Sequence, residues 1–306
     1  MDRPPLIVLT GPTASGKGSV AFELARRTAA EIVSLDSMKL YREMDIGTGK
    51  PPPENRSRVR YHLLDIVSPS RHFSTGDYLP LLEDTLRDLE RRECRAIVCG
   101  GTALYLKGFL YGFGRLPRAD WTFRQRLIDE ARETGPEVLH DRLARVDPAA
   151  ARKILPRDTR RIVRALEVYE RTGRPVSDEW RWESAETRHS VRLFGIDWDR
   201  SRLYERVDRR VLGMVERGLF EEARRLMRRV PPLSRSARQS IGYKEIFAAE
   251  EERRDEAEVI ETIQRNTRRF VKRQMTWMRK LPVEWIPAGS DFAPEVVADE
   301  ILRRLG

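Results

Sequence analysis

An apolar run of strand length, Leu6-Ile7-Val8-Leu9-Thr10, breaks at a glycine and reopens as a helix. Between it and the amphipathic stretch Ser19–Arg27 lies Gly11-Pro12-Thr13-Ala14-Ser15-Gly16-Lys17-Gly18. Strand, glycine-rich loop and helix in that order restrict the chain to an α/β fold in which the loop sits at the edge of a parallel sheet. Successive backbone N–H groups and the helix N-terminus present partial positive charge to an anion, the glycines let the backbone approach closely, and Lys17 adds a full charge. Residues Gly11 to Gly18 are therefore expected to cradle a phosphate. The residue after Lys17 breaks the pattern: a Ser or Thr there would reach a magnesium ion, but the position holds Gly18, and Ser19 is one step too far round the helix.

The next strand, Glu31-Ile32-Val33-Ser34-Leu35, ends on Asp36-Ser37. Ligands of a parallel sheet sit beyond the carboxyl ends of its strands, so Asp36 is expected to face the same cleft as Lys17, in a good position for a base. Residues 38–53 are too rich in Gly and Pro for a helix or strand and read as a long functional loop. His62–Val67 reads as a short strand and Ser74 as a helix start. Tyr61, His62 and His72 lack metal-ligand spacing, and no metal is assigned to them. The strand Ala96-Ile97-Val98-Cys99 runs into Gly100-Gly101-Thr102, where a nucleotide-hydrolysing enzyme with this loop would carry a magnesium-binding Asp. The two glycines allow close approach to a ligand and Thr102 supplies a hydroxyl, although a plain turn with an N-cap Thr also accounts for it.

Lys and Arg total 58 against 48 Asp and Glu, a net charge of +10, which favours a polyanionic partner. The two cysteines, Cys94 and Cys99, fit neither a zinc knuckle nor a disulfide framework, so a reducing cytoplasm is expected. Met1-Asp2-Arg3-Pro4 leads straight into the first strand without a signal-peptide core, and no apolar run approaches the roughly 20 residues of a membrane span. Between Leu116 and about Ser190 the chain becomes charged and helical. Asp147-Pro148 starts one helix there, and Asp158 caps another that stops at Gly173. In that helix Ile162, Ala165, Leu166 and Tyr169 form an apolar stripe, with Arg160, Arg164, Glu167 and Arg171 on another face. Such a face is ordinarily only solvated. Strand character returns at Val191–Ile196, a helix follows to Gly218, and a long helix over Glu256–Lys280 carries many cations in its late turns, some of which complement its dipole. Val283–Ile286 reads as a last strand and Pro294–Leu305 as a closing helix. The fold class is thus an α/β P-loop core over residues 1–115 and 191–306, interrupted by a helical insertion over 116–190.

Several blocks together resemble one family, the tRNA dimethylallyltransferases or tRNA isopentenyltransferases. They are Gly11–Lys17; Asp36-Ser37 with Tyr41 and Met44-Asp45-Ile46-Gly47-Thr48 before Lys50-Pro51; and Gly100-Gly101-Thr102-Ala103-Leu104-Tyr105. The resemblance continues in Arg160–Glu167, in Gln239-Ser240-Ile241-Gly242-Tyr243-Lys244-Glu245 and in Thr267-Arg268-Arg269 through Lys272-Arg273-Gln274 to Thr276-Trp277, and so spans nearly the whole chain. Two positions depart from the family's pattern: Gly18 replaces Ser or Thr, and Lys39 stands where many relatives carry Gln.

The resemblance implies a transferase that moves a dimethylallyl group from dimethylallyl diphosphate to the N6 amine of the adenosine immediately 3′ of the tRNA anticodon, releasing diphosphate. It implies catalytic roles for Asp36, Thr102 and Lys17, and contacts to tRNA from Asp36, Ser37, Met38, Lys39, Thr102, Arg124, Arg160, Arg161, Ile162, Val163, Arg164, Arg268, Arg269, Lys272 and Arg273. The insertion would grip the anticodon stem-loop. Magnesium is implied as a cofactor with no protein ligand named, and the enzyme would be a cytoplasmic monomer. In this reading Asp36 takes the amine proton, while the loop N–H groups, Lys17 and Thr102 stabilise the departing diphosphate, with Thr13 and Ser15 in reach and Arg238, Gln239 and Lys244 as lesser candidates. A P-loop small-molecule kinase is the main alternative; Gly18 and Gly100-Gly101 count against it. A non-catalytic RNA-binding P-loop protein would leave Asp36 and Thr102 without a task.

Overall fold

The computed structural model describes residues 4–112, 114, 116–179 and 186–306. The lead-in read at Met1–Arg3 lies outside them. The chain forms two compact units, one built from the residues up to Leu106 and from His189 onward, the other from Lys107–Arg188.

In the first unit β1 (Leu6–Thr10) leads through the glycine loop into α1 (Lys17–Thr28), followed by β2 (Glu31–Ser34), α2 (Pro53–Arg58), β3 (Tyr61–His62), α3 (Thr75–Arg91), β4 (Ala96–Cys99) and α4 (Ala103–Tyr111), within which the chain passes to the second unit. The second unit holds α5 (Trp121–Thr134), α6 (Pro136–Val146), α7 (Pro148–Lys153) and α8 (Thr159–Thr172). The first unit resumes with β5 (Val191–Asp197), α9 (Arg200–Glu216), α10 (Leu219–Met227), α11 (Arg235–Arg238), α12 (Tyr243–Glu252), α13 (Glu256–Met278), β6 (Glu284–Pro287) and α14 (Pro294–Leu305).

The six strands make one sheet in the order β3-β2-β4-β1-β5-β6, and every pairing is parallel. A strand buried on both faces needs apolar residues at successive positions, which is why LIVLT and AIVC read as runs and not as alternations. On one face Leu9, Ile32, Ile97, Phe194 and Ile286 pack with Val20 and Leu24 of α1 and Val297 and Ile301 of α14. Because all strands run the same way, their carboxyl ends share one edge, which collects the glycine loop after β1, Asp36 after β2, Gly100 after β4 and Trp198 after β5.

The strand expected at His62–Val67 is shorter and earlier than its composition suggests. Leu63 and Asp65 adopt positive φ (60° and 56°), which ends the extended backbone after His62. The turn brings Asp65 to Lys50 and to Arg56 Nη1, the latter at 2.7 Å, and Lys50 Nζ also donates to the Tyr41 carbonyl at 2.6 Å. The long loop after β2 is held at its far side by Glu222, a buried carboxylate of α10. It accepts from the N–H groups of Asp45, Ile46 and Gly47 at 3.0 to 3.1 Å and from the Tyr243 hydroxyl at 2.6 Å. Gly47 is required here, since a Cβ on it would lie 2.6 Å from the Tyr243 ring.

The second unit closes around Leu127, Leu139, Leu143, Ile162, Val163 and Leu166. Asp147 and Asp158 cap α7 and α8 as their sequence context predicts, and α8 stops at Gly173 in the left-handed conformation. The expected charged face of α8 needs correction at Glu167, which is wholly buried. It accepts the fork of Arg124 at 2.9 and 2.8 Å, the Asp120 N–H at 2.6 Å and a further bond from Arg164. Burial works against its charged form, yet the bonds from Arg124 and Arg164 outweigh it and hold the carboxyl below the ordinary range.

Candidate active site

The glycine loop turns its carbonyls outward. Pro12 O accepts from Lys17 Nζ at 3.1 Å, Ala14 O from Arg206 Nε at 3.0 Å and Ser15 O from Trp198 Nε1 at 3.0 Å. Ala14 and Gly16 hold left-handed φ values of 66° and 87°. Among the described residues no acceptor takes the N–H of Ala14, Gly16 or Lys17, and the buried Ser15 hydroxyl has no partner. Backbone donors without partners, beside a buried hydroxyl that also has none, are what an anion would satisfy.

A cross-brace fixes the loop against the neighbouring strand end. Gln274, on the buried face of α13, accepts from Thr13 N–H at 2.9 Å and donates to Gly101 O at 2.8 Å. Thr10 Oγ1 donates to Gly100 O at 3.1 Å. Gly100 has no alternative, because a Cβ on it would sit 1.9 Å from Leu35 O. One on Gly101 would lie 2.7 Å from Gly11 O and 3.3 Å from Lys17 Nζ.

Asp36 follows at the end of β2. Its Oδ1 accepts the N–H groups of Met38 at 2.9 Å and Lys39 at 3.2 Å, and among the described residues no donor takes its other oxygen. Thr102 Oγ1 accepts Ser37 N–H at 3.0 Å and reaches Ser37 Oγ at 3.3 Å, so its hydroxyl braces the Asp36 turn across the strand gap. Around this carboxylate stand three cations: Lys17, Lys39 and Arg210 each feel the Asp36 charge. Burial pushes the Lys17 ammonium down to about 8, with Lys39 and Arg210 repelling it and Cys99 and Asp36 opposing them. Burial likewise lowers Lys39 and Arg210. Arg210 lies against Gly49, where a Cβ would come within 2.2 Å of its Nη2, and among the described residues no carboxylate pairs with it. Three cations around one carboxylate leave the site positively charged.

Other predicted contacts are placed differently. Arg160 and Arg161 of α8 are exposed, as are Arg269, Lys272 and Arg273 of α13. Ile162 and Val163 are core residues, so their side chains are not offered to any partner. Arg124 and Arg164 are bound to Glu167, and Arg268 to Asp208 of α9. Arg238 pairs with Glu251 at 3.4 Å and Lys244 with Glu245 at 3.5 Å, both outside the cleft constellation, and Gln239 is exposed. The reading of residues missed Arg210, Trp198 and Arg206, and gave Gln274 no task. A signal existed for Gln274, a polar residue in phase with the buried Val271 and Met278. Trp198 likewise follows directly on a strand end.

The donor set does not make a protein cage for magnesium. Gly18 carries no hydroxyl although nothing lies within 4 Å of where its Cβ would be, and among the described residues no three His, Cys, Asp or Glu side chains converge.

A parallel sheet with a glycine loop after its first strand, and one carboxylate among cations at the adjoining strand ends, defines the class of P-loop α/β enzymes. Residues 39–281 match the sequence profile of the IPP transferases, and the chain belongs to that family, the tRNA dimethylallyltransferases. It is 43% identical over 297 residues to tRNA dimethylallyltransferase 2 of Geotalea uraniireducens, covering 95% of each chain. It is 45% identical over 282 residues to the tRNA dimethylallyltransferase of Geobacter metallireducens, covering 91% of each. The crystal structure of the full-length tRNA isopentenylpyrophosphate transferase of Bacillus halodurans superposes with a TM-score of 0.71 at 35% identity, over 99% of this chain and 97% of that one. A eukaryotic dimethylallyltransferase acting on tRNA shares the fold, with a TM-score of 0.79 at 24% identity over 99% of this chain and 80% of that one.

Proposed function

We propose that the protein transfers a dimethylallyl group from dimethylallyl diphosphate to the exocyclic N6 amine of the adenosine immediately 3′ of the anticodon in tRNA. The observation that carries this reading is the free oxygen of Asp36 beside an anion cradle with three otherwise unbalanced cations. A kinase of this fold would need groups that bridge an ion between end phosphates, which Gly18 and Gly100-Gly101 do not supply.

In the reaction a C–N bond forms between N6 and the allylic carbon while the C–O bond to diphosphate breaks. The amine is a poor nucleophile because its lone pair is delocalised into the ring. Its proton passes to Asp36 as the bond forms, an assistance worth roughly 10²–10⁴-fold. Negative charge growing on the leaving diphosphate is met by the loop N–H groups, the Ser15 hydroxyl, Lys17 and Arg210. Magnesium, where used, would be carried by the diphosphate oxygens, since this ion keeps much of its water and is commonly bound through substrate phosphates.

The adenine has to leave its stack, which a single-stranded loop permits at lower cost than a duplex. Exposed Arg160 and Arg161 of α8, and Arg269, Lys272 and Arg273 of α13, are the cations available to the tRNA backbone. Among the described residues no helix is long and apolar enough to cross a membrane. We place the enzyme in the cytoplasm, with its tRNA, as a monomer. Nucleoside analysis of unmodified tRNA incubated with the protein, magnesium and labelled dimethylallyl diphosphate is the test. Label in N6-dimethylallyladenosine is the expected result; ATP turnover without prenyl incorporation would restore the kinase.

A further inference from the structure

Residues 44–50 close into one turn in the loop after β2. Thr48 Oγ1 donates to Met44 O at 2.6 Å, Gly49 N–H to Ile46 O at 3.0 Å and Lys50 N–H to Asp45 O at 3.1 Å. The N–H groups of Asp45, Ile46 and Gly47 are left without acceptors inside the turn, as at the start of a helix. Glu222 of α10 takes all three, Oε1 serving Ile46 and Gly47 and Oε2 serving Asp45 and Ile46. The residue is 3% exposed, and among the described residues no cation pairs with its carboxylate. Charge-assisted bonds to three successive N–H groups, with the Tyr243 hydroxyl as a further donor at 2.6 Å, offset that burial and hold the turn rigidly.

The other end of the turn carries Gly49, in the left-handed region at φ 63°. A Cβ on it would lie 2.2 Å from Arg210 Nη2, 2.9 Å from Cζ and 3.0 Å from Nη1, so the whole head group, and not one tip of it, rests on Gly49. Among the described residues no hydrogen bond or carboxylate holds that guanidinium. A long side chain with no bond at its head keeps its rotamer freedom unless packing removes it. The backbone at Gly49 is thus a fixed surface that locates Arg210. Glu222 lies on α10, the helix that follows the one carrying Arg210, so it ties the turn and the guanidinium to one helical pair.

We infer that Glu222 is a positioning residue for prenyl transfer: by fixing the turn at Asp45–Gly47 it places Gly49, and through Gly49 the Arg210 guanidinium, where charge develops on the leaving diphosphate. The inference rests on the prenyl-transfer reading given above, in which Arg210 meets that charge. A fixed cation lowers the barrier most when it needs no rearrangement as the reaction proceeds, and an arginine without hydrogen bonds gains that property from what packs against it.

The test is a double-mutant cycle on the single-turnover rate of label transfer from dimethylallyl diphosphate to tRNA, with both substrates saturating. Glu222→Gln keeps the shape of the side chain, but in either orientation its amide nitrogen faces two of the three N–H groups. It should slow transfer by about tenfold in the wild-type chain and by less than about twofold in Arg210→Ala. Should Glu222→Gln fail to fold, Tyr243→Phe takes its place. It removes the hydroxyl that donates to Glu222 and accepts the Gly47 N–H at 3.1 Å, and its factors should be about threefold in the wild-type chain and close to one in Arg210→Ala. Equal factors in the two backgrounds would mean that the turn supports the fold independently of Arg210, and would overturn the inference. A wild-type rate in Glu222→Gln or in Arg210→Ala overturns it as well. Wild-type protein that transfers no label to tRNA refutes the prenyl-transfer reading and this inference with it, a result distinct from equal factors.

Discussion

The cleft around Asp36 and the ion cluster around Glu167 are made of the same residue types and end in opposite states of balance. Glu167 is buried among donors that meet its charge completely: two guanidinium groups and a backbone N–H. Asp36 uses one oxygen on its own turn, and the cations near it, Lys17, Lys39 and Arg210, outnumber it. A buried charge without a partner is costly, and a fold tolerates such an imbalance where a ligand completes it. The difference separates arginines that hold a unit together from those available to a substrate, a distinction that charge counting along the chain cannot make.

The contrast can be broken at its strongest point. Asp36→Asn should lower the transfer rate at least about 10²-fold with tRNA affinity little changed, because the carboxylate handles a proton and not the RNA backbone. Near wild-type turnover with both substrates saturating would remove Asp36 as the base. On the balanced side, Glu167→Ala should destabilise the protein by about 2–3 kcal/mol in urea unfolding. It leaves Arg124 and Arg164 facing a void, and their partial exposure keeps the loss at or below the low end for a broken buried pair. A loss under about 0.5 kcal/mol would mean that the cluster is ornamental.

Smaller effects sharpen the same comparison. Burial disfavours the Lys17 ammonium, so in the free enzyme it is lost as pH rises through about 8, and with it part of the donor's binding. The apparent second-order rate constant for dimethylallyl diphosphate should therefore fall by about tenfold per unit above that point, while saturating donor moves the break upward. A profile flat to about pH 9.5 would contradict this. The smallest expected change is at α8. Arg160→Ala and Arg161→Ala should each reduce the salt dependence of tRNA binding by about 0.7–0.9 in slope, whereas Arg164→Ala should cost stability and leave that slope alone. Equal slopes in all three variants would erase the distinction between the exposed arginines and the one committed to Glu167.

Much of the scaffold was legible because it depends on local patterns. The turn residues at Gly11–Lys17, the apolar runs of β1 and β4, and the Asp caps at 147 and 158 each act within a few positions of themselves, and the structure places them where their patterns imply. The strand expected at His62–Val67 failed because an apolar run says nothing of the left-handed turns at Leu63 and Asp65, which long-range ion pairs to Lys50 and Arg56 accompany. The site was legible in half. Lys17, Asp36 and Thr102 could be placed together by the rule that parallel strands end on one edge.

By itself, then, the sequence determined the α/β class, the position of the phosphate loop and the strand-end residues that flank it, because those follow from periodicity and turn chemistry over short spans. Tertiary structure alone decided which charges remain unpaired. Arg210 comes to Asp36 from 174 positions along the chain, counting from 36 to 210. Gln274 reaches Thr13 across 261 positions. Arg124 and Arg164, still partly exposed, are committed to a glutamate that reads as a surface residue. Charge balance is a property of three-dimensional neighbours, and the Coulomb energy that governs it depends on distances and burial that no spacing along the chain encodes.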